Sequence, residues 1–372
     1  MVGFWSPHLT ATSVKEGPVF SFSSSDISRE PFSLTAPELQ WVEVNLDIEQ
    51  EVGHLLRLLN NHYVKDRASV LCYRLSSAFL RWVLRVPGWK KEYLVGVEDK
   101  NARKLIAFVS GTPLTVFCKE RTFSMIVVNF LCIHEQFRGQ GLAPIVIDEL
   151  SRRAAIDGIF QAVFTSSYTK MFRSLSTALH YHRFLNVPNL VKAGFCRGPR
   201  IERYFHVASY QSYQWGPLAV VDVNSVFELL NSFFSREKLF YPKFSRNQFC
   251  HLFLPRQGIA HSFVARTEKG GGIVAFSSFY EVLLASSNGT VKMAKELYSG
   301  CLPSISLEAV RKDMVVEAKK RQMDVYTLLG DQTQTEQMKE IRTVQGTGFL
   351  SYFLFNWRTE CIPFNQIAFT VP

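Results

Sequence analysis

Paired cysteines are missing from this 372-residue chain. Its seven cysteines, Cys72, Cys118, Cys132, Cys196, Cys250, Cys301 and Cys361, are odd in number and scattered. They lack the short spacings of a zinc site and the framework of a disulfide-stapled secreted domain, so free thiols are expected. Long apolar runs are missing too. The longest that matters, Met125 to Ile133, is broken by Asn129 and falls well short of the roughly 20 residues a membrane helix needs. Met1 to Pro18 holds no basic patch followed by an apolar stretch, as a secretory signal would, which points to the cytoplasm. Nor is there a long Lys/Arg block or a basic-aromatic RNA-binding motif. The formal charge of +10 and the pI near 9.2 come from dispersed residues. They fit a polyphosphate cofactor better than nucleic acid.

Apolar and aromatic material is abundant: 47% of residues are hydrophobic, 31 are Phe, and charged residues make up only 20%. That excludes a disordered or fibrous chain, and the length accommodates two ordinary domains. The first forty residues, with Ser23 to Ser25 and little periodicity, read as an extended arm in which Phe4 and Trp5 could be anchored. From Trp41 onward, Ile48, Val52, Leu55, Leu56 and Leu59 follow helical spacing and stop near Asn60 and Asn61. A second helix is expected over Ser76 to Arg85, ahead of Pro87 and Gly88. Tyr93 to Val97, Leu105 to Val109, Leu114 to Phe117 and Met125 to Ile133 read as strands, as does Ile159 to Thr165. After Arg203 the pattern restarts with a helix from Val226 to Phe234, strands Phe263 to Arg266 and Ile273 to Tyr280, a helix from Leu307 to Arg321 and a strand Leu350 to Asn356. The halves share the order of elements and no sequence repeat, which suggests a duplicated α/β unit.

The loop Gln136-Phe137-Arg138-Gly139-Gln140-Gly141-Leu142-Ala143 joins a strand to a helix expected to open at Pro144. Two glycines in such a turn let successive backbone N–H groups converge on an anion at the helix N-terminus, a seat for pyrophosphate. The bland alternative is a glycine-rich connection without a ligand. Gln-x-x-Gly-x-Gly/Ala after a strand resembles the acyl-CoA loop of the GNAT acetyltransferase superfamily.

A longer series of segments resembles one branch of that superfamily, the glycylpeptide N-tetradecanoyltransferases, or N-myristoyltransferases. It includes Arg29-Glu30-Pro31-Phe32, Asn61-His62-Tyr63-Val64, Phe79-Leu80-Arg81-Trp82, Val86-Pro87-Gly88-Trp89 and Asn129-Phe130-Leu131-Cys132-Ile133-His134. It continues with Leu142-Ala143-Pro144, Asp157-Gly158-Ile159-Phe160-Gln161-Ala162-Val163-Phe164-Thr165, Asp324-Val325-Tyr326 and Tyr352-Phe353-Leu354-Phe355-Asn356-Trp357. The resemblance implies an α/β fold of two GNAT-like halves forming one continuous saddle-shaped sheet flanked by helices. Residues 1–205 would bind acyl-CoA and 206–372 would supply most of the peptide site. The activity implied is transfer of a myristoyl group from myristoyl-CoA to the N-terminal glycine of a protein or peptide, by direct attack on the thioester and without a metal.

Residue roles follow from the same resemblance. The backbone N–H groups of Phe130 and Leu131 would form the oxyanion hole. The carboxylate of Pro372 would be the general base, in a dry site that raises its pKa. Thr165 would hold the amine and Asn129 would orient the peptide. Phe4, Trp5, Leu131, Cys132, Ile133, Arg138, Gly139, Gln140, Gly141, Leu142, Ala143 and Pro144 would contact the cofactor. Tyr63, Tyr73, His182 and Tyr280 would contact the peptide. The bland reading of the C-terminus is a frayed tail, although Ile367, Phe369 and Val371 alternate as a buried strand would. His180 and His182 could be read as a metal pair, but no third ligand follows at a convincing spacing.

The match departs from the family where acidic peptide contacts are expected: Lys65-Asp66-Arg67-Ala68 replaces a run of acidic residues, and Val344-Gln345-Gly346-Thr347-Gly348 lacks the aspartate of a Gly-x-Gly-Asp-Gly segment. The cofactor loop has Gly139-Gln140-Gly141 where Ser and basic residues are usual. A preference shifted away from Lys-rich peptides is therefore expected. The partners expected are glycine-start peptides, with no nucleic acid and no transmembrane segment, and the protein is expected to be a monomer. The rival functions are a short-chain GNAT N-acetyltransferase and a non-catalytic relative that binds acyl-CoA or peptide.

Overall fold

The computed structural model describes residues 16–63, 71–167, 173–197, 213–267 and 271–372, so Phe4, Trp5 and the segment from Lys65 to Ala68 lie outside the described residues. In chain order the first half runs β1 (Gly17–Pro18), β2 (Leu39–Glu43), α1 (Glu49–His62), β3 (Cys72–Arg74), α2 (Ser77–Leu84), β4 (Leu94–Asp99), β5 (Lys104–Cys118), β6 (Arg121–Ile133), α3 (Leu142–Ile156), β7 (Ala162–Ser166), β8 (Ser176–Phe184) and α4 (Val187–Lys192). The second runs β9 (Gln214–Pro217), α5 (Val223–Glu237), β10 (Phe240–Pro242), α6 (Arg246–Phe253), β11 (Ala260–Arg266), β12 (Ile273–Ser286), β13 (Gly289–Cys301), α7 (Leu307–Lys320), β14 (Val325–Gly330), α8 (Thr335–Glu340), β15 (Val344–Phe355) and β16 (Trp357–Arg358).

Local chemistry explains most boundaries. α1 buries Val52, Leu55, Leu58 and Leu59 along one stripe and ends where Asn60 turns its side-chain oxygen to the Leu75 N–H at 2.8 Å. The Ser76 hydroxyl caps α2 by accepting from the Phe79 N–H at 3.1 Å, a contact of the kind that contributes about 1 kcal/mol. Two expectations need correction. Trp41 belongs to β2, paired with Val97 of β4, and not to the helix that follows. The helix waits for Glu49 because Asn45 and Asp47 form a turn, with the Asp47 N–H on Asn45 Oδ1 at 2.9 Å. The strands expected at Leu105–Val109 and Leu114–Phe117 are one strand, β5, because β6 pairs along its length. Pro113 is accommodated where the other edge of β5 has no ladder partner, between Ser110, opposite the start of β4 at Leu94, and Val116, opposite the end of β10 at Pro242.

Among the described residues, fourteen strands form one mixed sheet, ordered β2-β4-β5-β6-β7-β15-β8-β14-β13-β12-β11-β9, with β10 added on β5 and β3 on β12. The halves interleave in its middle, since β15 of the second half lies between β7 and β8 of the first. α3 covers one face of β4–β6 through Val146, Leu150 and Ala154, against Val95, Val109 and Ile126. α1, α2, α5 and α6 contribute to one buried cluster that runs through both halves.

Gly111 sits where α3 presses on β5. A Cβ there would lie 2.7 Å from Ile126 Cγ2 and 3.0 Å from Leu150 Cδ1. Gly111→Val is expected to destabilise the protein by about 1–3 kcal/mol through overpacking, read as a lower midpoint in thermal denaturation; an unchanged midpoint would contradict this packing.

Candidate active site

The site grows from an irregularity in β6. Ser110 opposes Asn129 and Phe108 opposes Cys132, so Val109 alone faces Phe130 and Leu131. This is a β-bulge, which bends its strand and breaks the ladder locally. Phe130 adopts φ +54°, a conformation that costs a non-glycine residue about 1–3 kcal/mol. Its buried ring, 5.6 Å from that of Tyr63, holds it there. On its other edge β6 pairs with β7 only at Ile126–Ala162 and Val127–Val163, and beyond Val127 the strands part. The main chain of Val128 to Ile133 thus borders a gap.

Asn129 ties this bulge to the end of the chain. Its side-chain oxygen accepts from the Phe130 N–H at 2.8 Å and from the Tyr63 hydroxyl at 3.5 Å. Its amide nitrogen donates to a main-chain oxygen of Pro372 at 2.8 Å. The C-terminal segment is not frayed: Ile367, Phe369 and Val371 are buried, the Ala368 N–H bonds Phe240 O, and the Thr370 N–H and hydroxyl bond the Tyr298 hydroxyl and Leu297 O. Thr165 lies on β7 opposite Tyr352 and is not among the residues lining the cavity at Asn129 and Pro372.

Two apolar cavities flank β6, because alternate residues face opposite sides. Ile126 and Val128 line one with Phe22, Leu150, Ala154 and Phe160. Val127 and Asn129 line the other, whose walls include Val83, Leu114, Phe244, Tyr298 and Pro372. Below the gap, Gly139 and Gly141 both take φ +77°, with nothing within 4 Å of where a Cβ would be. α3 opens at Leu142, not at Pro144, so Leu142 and Ala143 present N–H groups in its first turn, where Pro144 has none to lose. Gln140 Nε2 bonds Gln136 O across the loop at 2.9 Å. Arg138 is committed to the protein itself, donating to Ile133 O at 3.0 Å and to His62 O at the end of α1. The side chain of Cys132 turns to α1, its thiol on Leu58 O at 3.8 Å, and burial pushes its pKa up to about 12. Cys132 and the largely buried Ile133 therefore offer the gap their main chain.

The peptide-side candidates gather beyond Tyr63. Burial raises the phenol pKa of Tyr63, Tyr73 and Tyr280, and the three lie near enough to influence one another. Tyr73 on β3 opposes Leu284 of β12, and Tyr280 stacks on Phe79 at 6.1 Å. His182 Nδ1 bonds the Thr327 hydroxyl at 2.9 Å. The His180 and His182 rings are parallel, 6.2 Å apart, and β15 bulges over them from Gly346 to Gly348. A Cβ on Gly346 would fall 2.6 Å from His182 Nε2.

Models of the myristoyl-CoA:protein N-myristoyltransferase N-terminal and C-terminal domains match residues 21–177 and 200–367. The chain belongs to this N-myristoyltransferase family. A glycylpeptide N-tetradecanoyltransferase of Ajellomyces capsulatus is 31% identical, with 93% of this chain and 70% of the relative covered. Glycylpeptide N-tetradecanoyltransferase 1 of Arabidopsis thaliana is 28% identical, with 94% and 82% covered. The Saccharomyces cerevisiae N-myristoyltransferase with bound myristoyl-CoA superposes with a TM-score of 0.89 at 26% identity, over 97% of this chain and 93% of that one. A GCN5-related N-acetyltransferase from Anabaena variabilis, 10% identical with a TM-score of 0.50 over 85% and 72%, shares the fold.

The sequence pointed to Asn129, Phe130 and Leu131 at the bulge and gave no sign of Ser110, whose hydroxyl donates to Asn129 O at 3.0 Å. Thr327, the hydrogen-bond partner of His182, lies on β14, a strand the sequence did not reveal. The imidazoles are neutral at physiological pH: burial pushes His182 down to about 4, and burial with the nearby Lys295 and His182 pushes His180 down to about 3. Their folded pKa values lie below the unfolded value of about 6.5. The stability they contribute is therefore complete above that pH and is lost as pH falls toward the folded values, by at most about 1.4 kcal/mol per pH unit per histidine. Urea unfolding between pH 6.5 and 5 should accordingly show a shallower decline for His180→Gln than for the parent; parallel slopes would contradict the burial of that ring.

Proposed function

We propose that this protein is an acyltransferase that moves a myristoyl group from myristoyl-CoA to the N-terminal glycine of a peptide or protein. The observation that carries the reading is the Asn129 clamp, which couples a bulged, positive-φ strand segment to the last residue of the chain. An acceptor oxygen already sits on the Phe130 N–H. The thioester carbonyl would take that place, with Leu131 N–H beside it, so that donors fixed in advance meet the charge of the tetrahedral intermediate; such donors contribute roughly 2.7–4 kcal/mol each. The carboxylate of Pro372 takes a proton from the glycine ammonium. The freed amine attacks the carbonyl carbon, the C–N bond forms, the C–S bond breaks, and the second amine proton leaves with the CoA thiol. Thr165 holds the amine from the β7 arm of the gap.

The glycine loop and first turn of α3, Gly139 to Pro144 with Arg138 bracing them, seat the pyrophosphate, and the main chain of Leu131 to Ile133 meets the pantetheine arm. The apolar cavity beside Val128 takes the acyl chain, which favours a long-chain donor over acetyl-CoA. Tyr63, Tyr73, His182 and Tyr280 receive the peptide. Residues 1–205 chiefly serve acyl-CoA and 206–372 chiefly the peptide, the protein working as a cytoplasmic monomer. Among the described residues no helix is long and apolar enough to cross a membrane.

Incubating the chain with myristoyl-CoA and an octapeptide beginning with Gly or Ala tests the reading directly. The Gly peptide should gain one myristoyl mass and the Ala peptide none; recovery of both unmodified would favour a non-catalytic binder. In the acyl cavity each methylene contributes about 0.8 kcal/mol, roughly fourfold in affinity. Ala154→Phe, which narrows that cavity, should weaken myristoyl-CoA far more than decanoyl-CoA in equilibrium binding. Equal weakening would place the acyl chain elsewhere.

A further inference from the structure

β12, β13, β14 and β8 bring Tyr280, Lys295, Thr327 and His182 into one transverse row, each opposite the next. Cross-strand neighbours share a face of the sheet, and two contacts agree: Lys295 Nζ lies 5.7 Å from the Tyr280 ring centroid, and His182 bonds Thr327. The opposite face is closed by α7, whose Met314 and Val315 pack with Phe279, Ala294, Tyr326 and Tyr181. Lys295 therefore stands on the face that carries the peptide-side tyrosines. Its charge reaches His180 on one side and Tyr73 on the other.

No carboxylate answers this cation among the described residues. Glu281 and Glu296 flank the row in sequence but project to the other face, Glu281 onto His261 at 2.6 Å and Glu296 onto Arg311 at 2.9 Å. The groups around Lys295 are phenols, a threonine hydroxyl and imidazoles that burial keeps neutral. Lys295 is partly buried and has neutral groups around its ammonium, and a carboxylate from a ligand would supply a counter-charge.

We propose that Lys295 is a specificity-determining residue that selects acceptor peptides carrying an Asp or Glu side chain downstream of the N-terminal glycine. The inference rests on the acyl-transfer reading and names its substrate class. With the glycine seated at Asn129 and Tyr63, the peptide passes Tyr73 and Tyr280 to reach Lys295. The acidic side chain forms a charge-assisted hydrogen bond with the ammonium, and a peptide with Lys at that point meets a like charge.

The test uses the full chain, myristoyl-CoA and Gly-start octapeptides in which a single Asp, Asn or Lys is moved through the positions after the glycine. At one position the Asp peptide should exceed the Lys peptide in kcat/KM by about 10- to 100-fold, the range of a hydrogen bond to a charged group. Lys295→Ala should abolish that difference and Lys295→Glu should invert it, and an inverted preference cannot come from misfolding. Equal turnover of the Asp and Lys peptides by the parent, or a preference that survives in Lys295→Glu, would overturn the proposal. So would a change in KM confined to myristoyl-CoA, which would assign Lys295 to the donor's phosphates. If no glycine peptide of any charge is acylated, the transferase reading is what fails. Equilibrium binding of fluorescently labelled Asp and Lys peptides to the parent and Lys295→Glu then decides the role of Lys295 separately.

Discussion

The site depends on a backbone held in a conformation that Phe130 would not choose alone. A positive φ at a phenylalanine is costly, and it persists because the ring is buried against Tyr63 while Asn129 secures the adjacent amide and is itself held through Ser110. Burying such a ring contributes about 1.5–3 kcal/mol, enough to offset the strain. The bulge turns amides out of the ladder, the parting of β6 from β7 gives them access to a ligand, and the same asparagine fixes the chain end beside them. The bulge and the position of Pro372 share one side chain.

In the proposed mechanism nearly all the chemistry is main-chain chemistry. Cys132 is turned inward with its pKa raised, Arg138 is spent on bracing the loop, and the histidines are neutral and hydrogen-bonded or covered. The proposed site is left with main-chain amides, two positive-φ glycines and the main-chain oxygen of Pro372 held by Asn129. β15 threads between β7 and β8, and the C-terminal segment crosses from β10 to Tyr298. The two halves thus build one centre.

Much of this was legible in the sequence. Asn129-Phe130-Leu131 before a glycine loop pointed to the irregular end of β6 and the turn into α3, and the alternation of Ile367, Phe369 and Val371 signalled a buried tail. The insertion of β15 was not legible, because pairing between residues nearly two hundred positions apart leaves no local period. The sign of φ at Phe130 was hidden for a similar reason, since tertiary packing imposes it. β13 carried a usable signal that went unread, the Ser287-Asn288-Gly289 turn after a long apolar strand. With it the row containing Lys295 would have been visible. Thr165 was assigned a position beside the amine by resemblance, and the structure adds only its pairing with Tyr352.

The central claim is that the carboxylate at the chain end removes the proton from the attacking amine at the place where Asn129 holds it. The most direct test is a single-turnover measurement of glycine-peptide acylation by the chain as given and by a version with Gly-Ser appended after Pro372, both saturated with myristoyl-CoA. A positioned base contributes about 10²- to 10⁴-fold. The extended chain should therefore bind myristoyl-CoA normally yet transfer at least about 100-fold more slowly, and transfer at the parent rate would contradict the account.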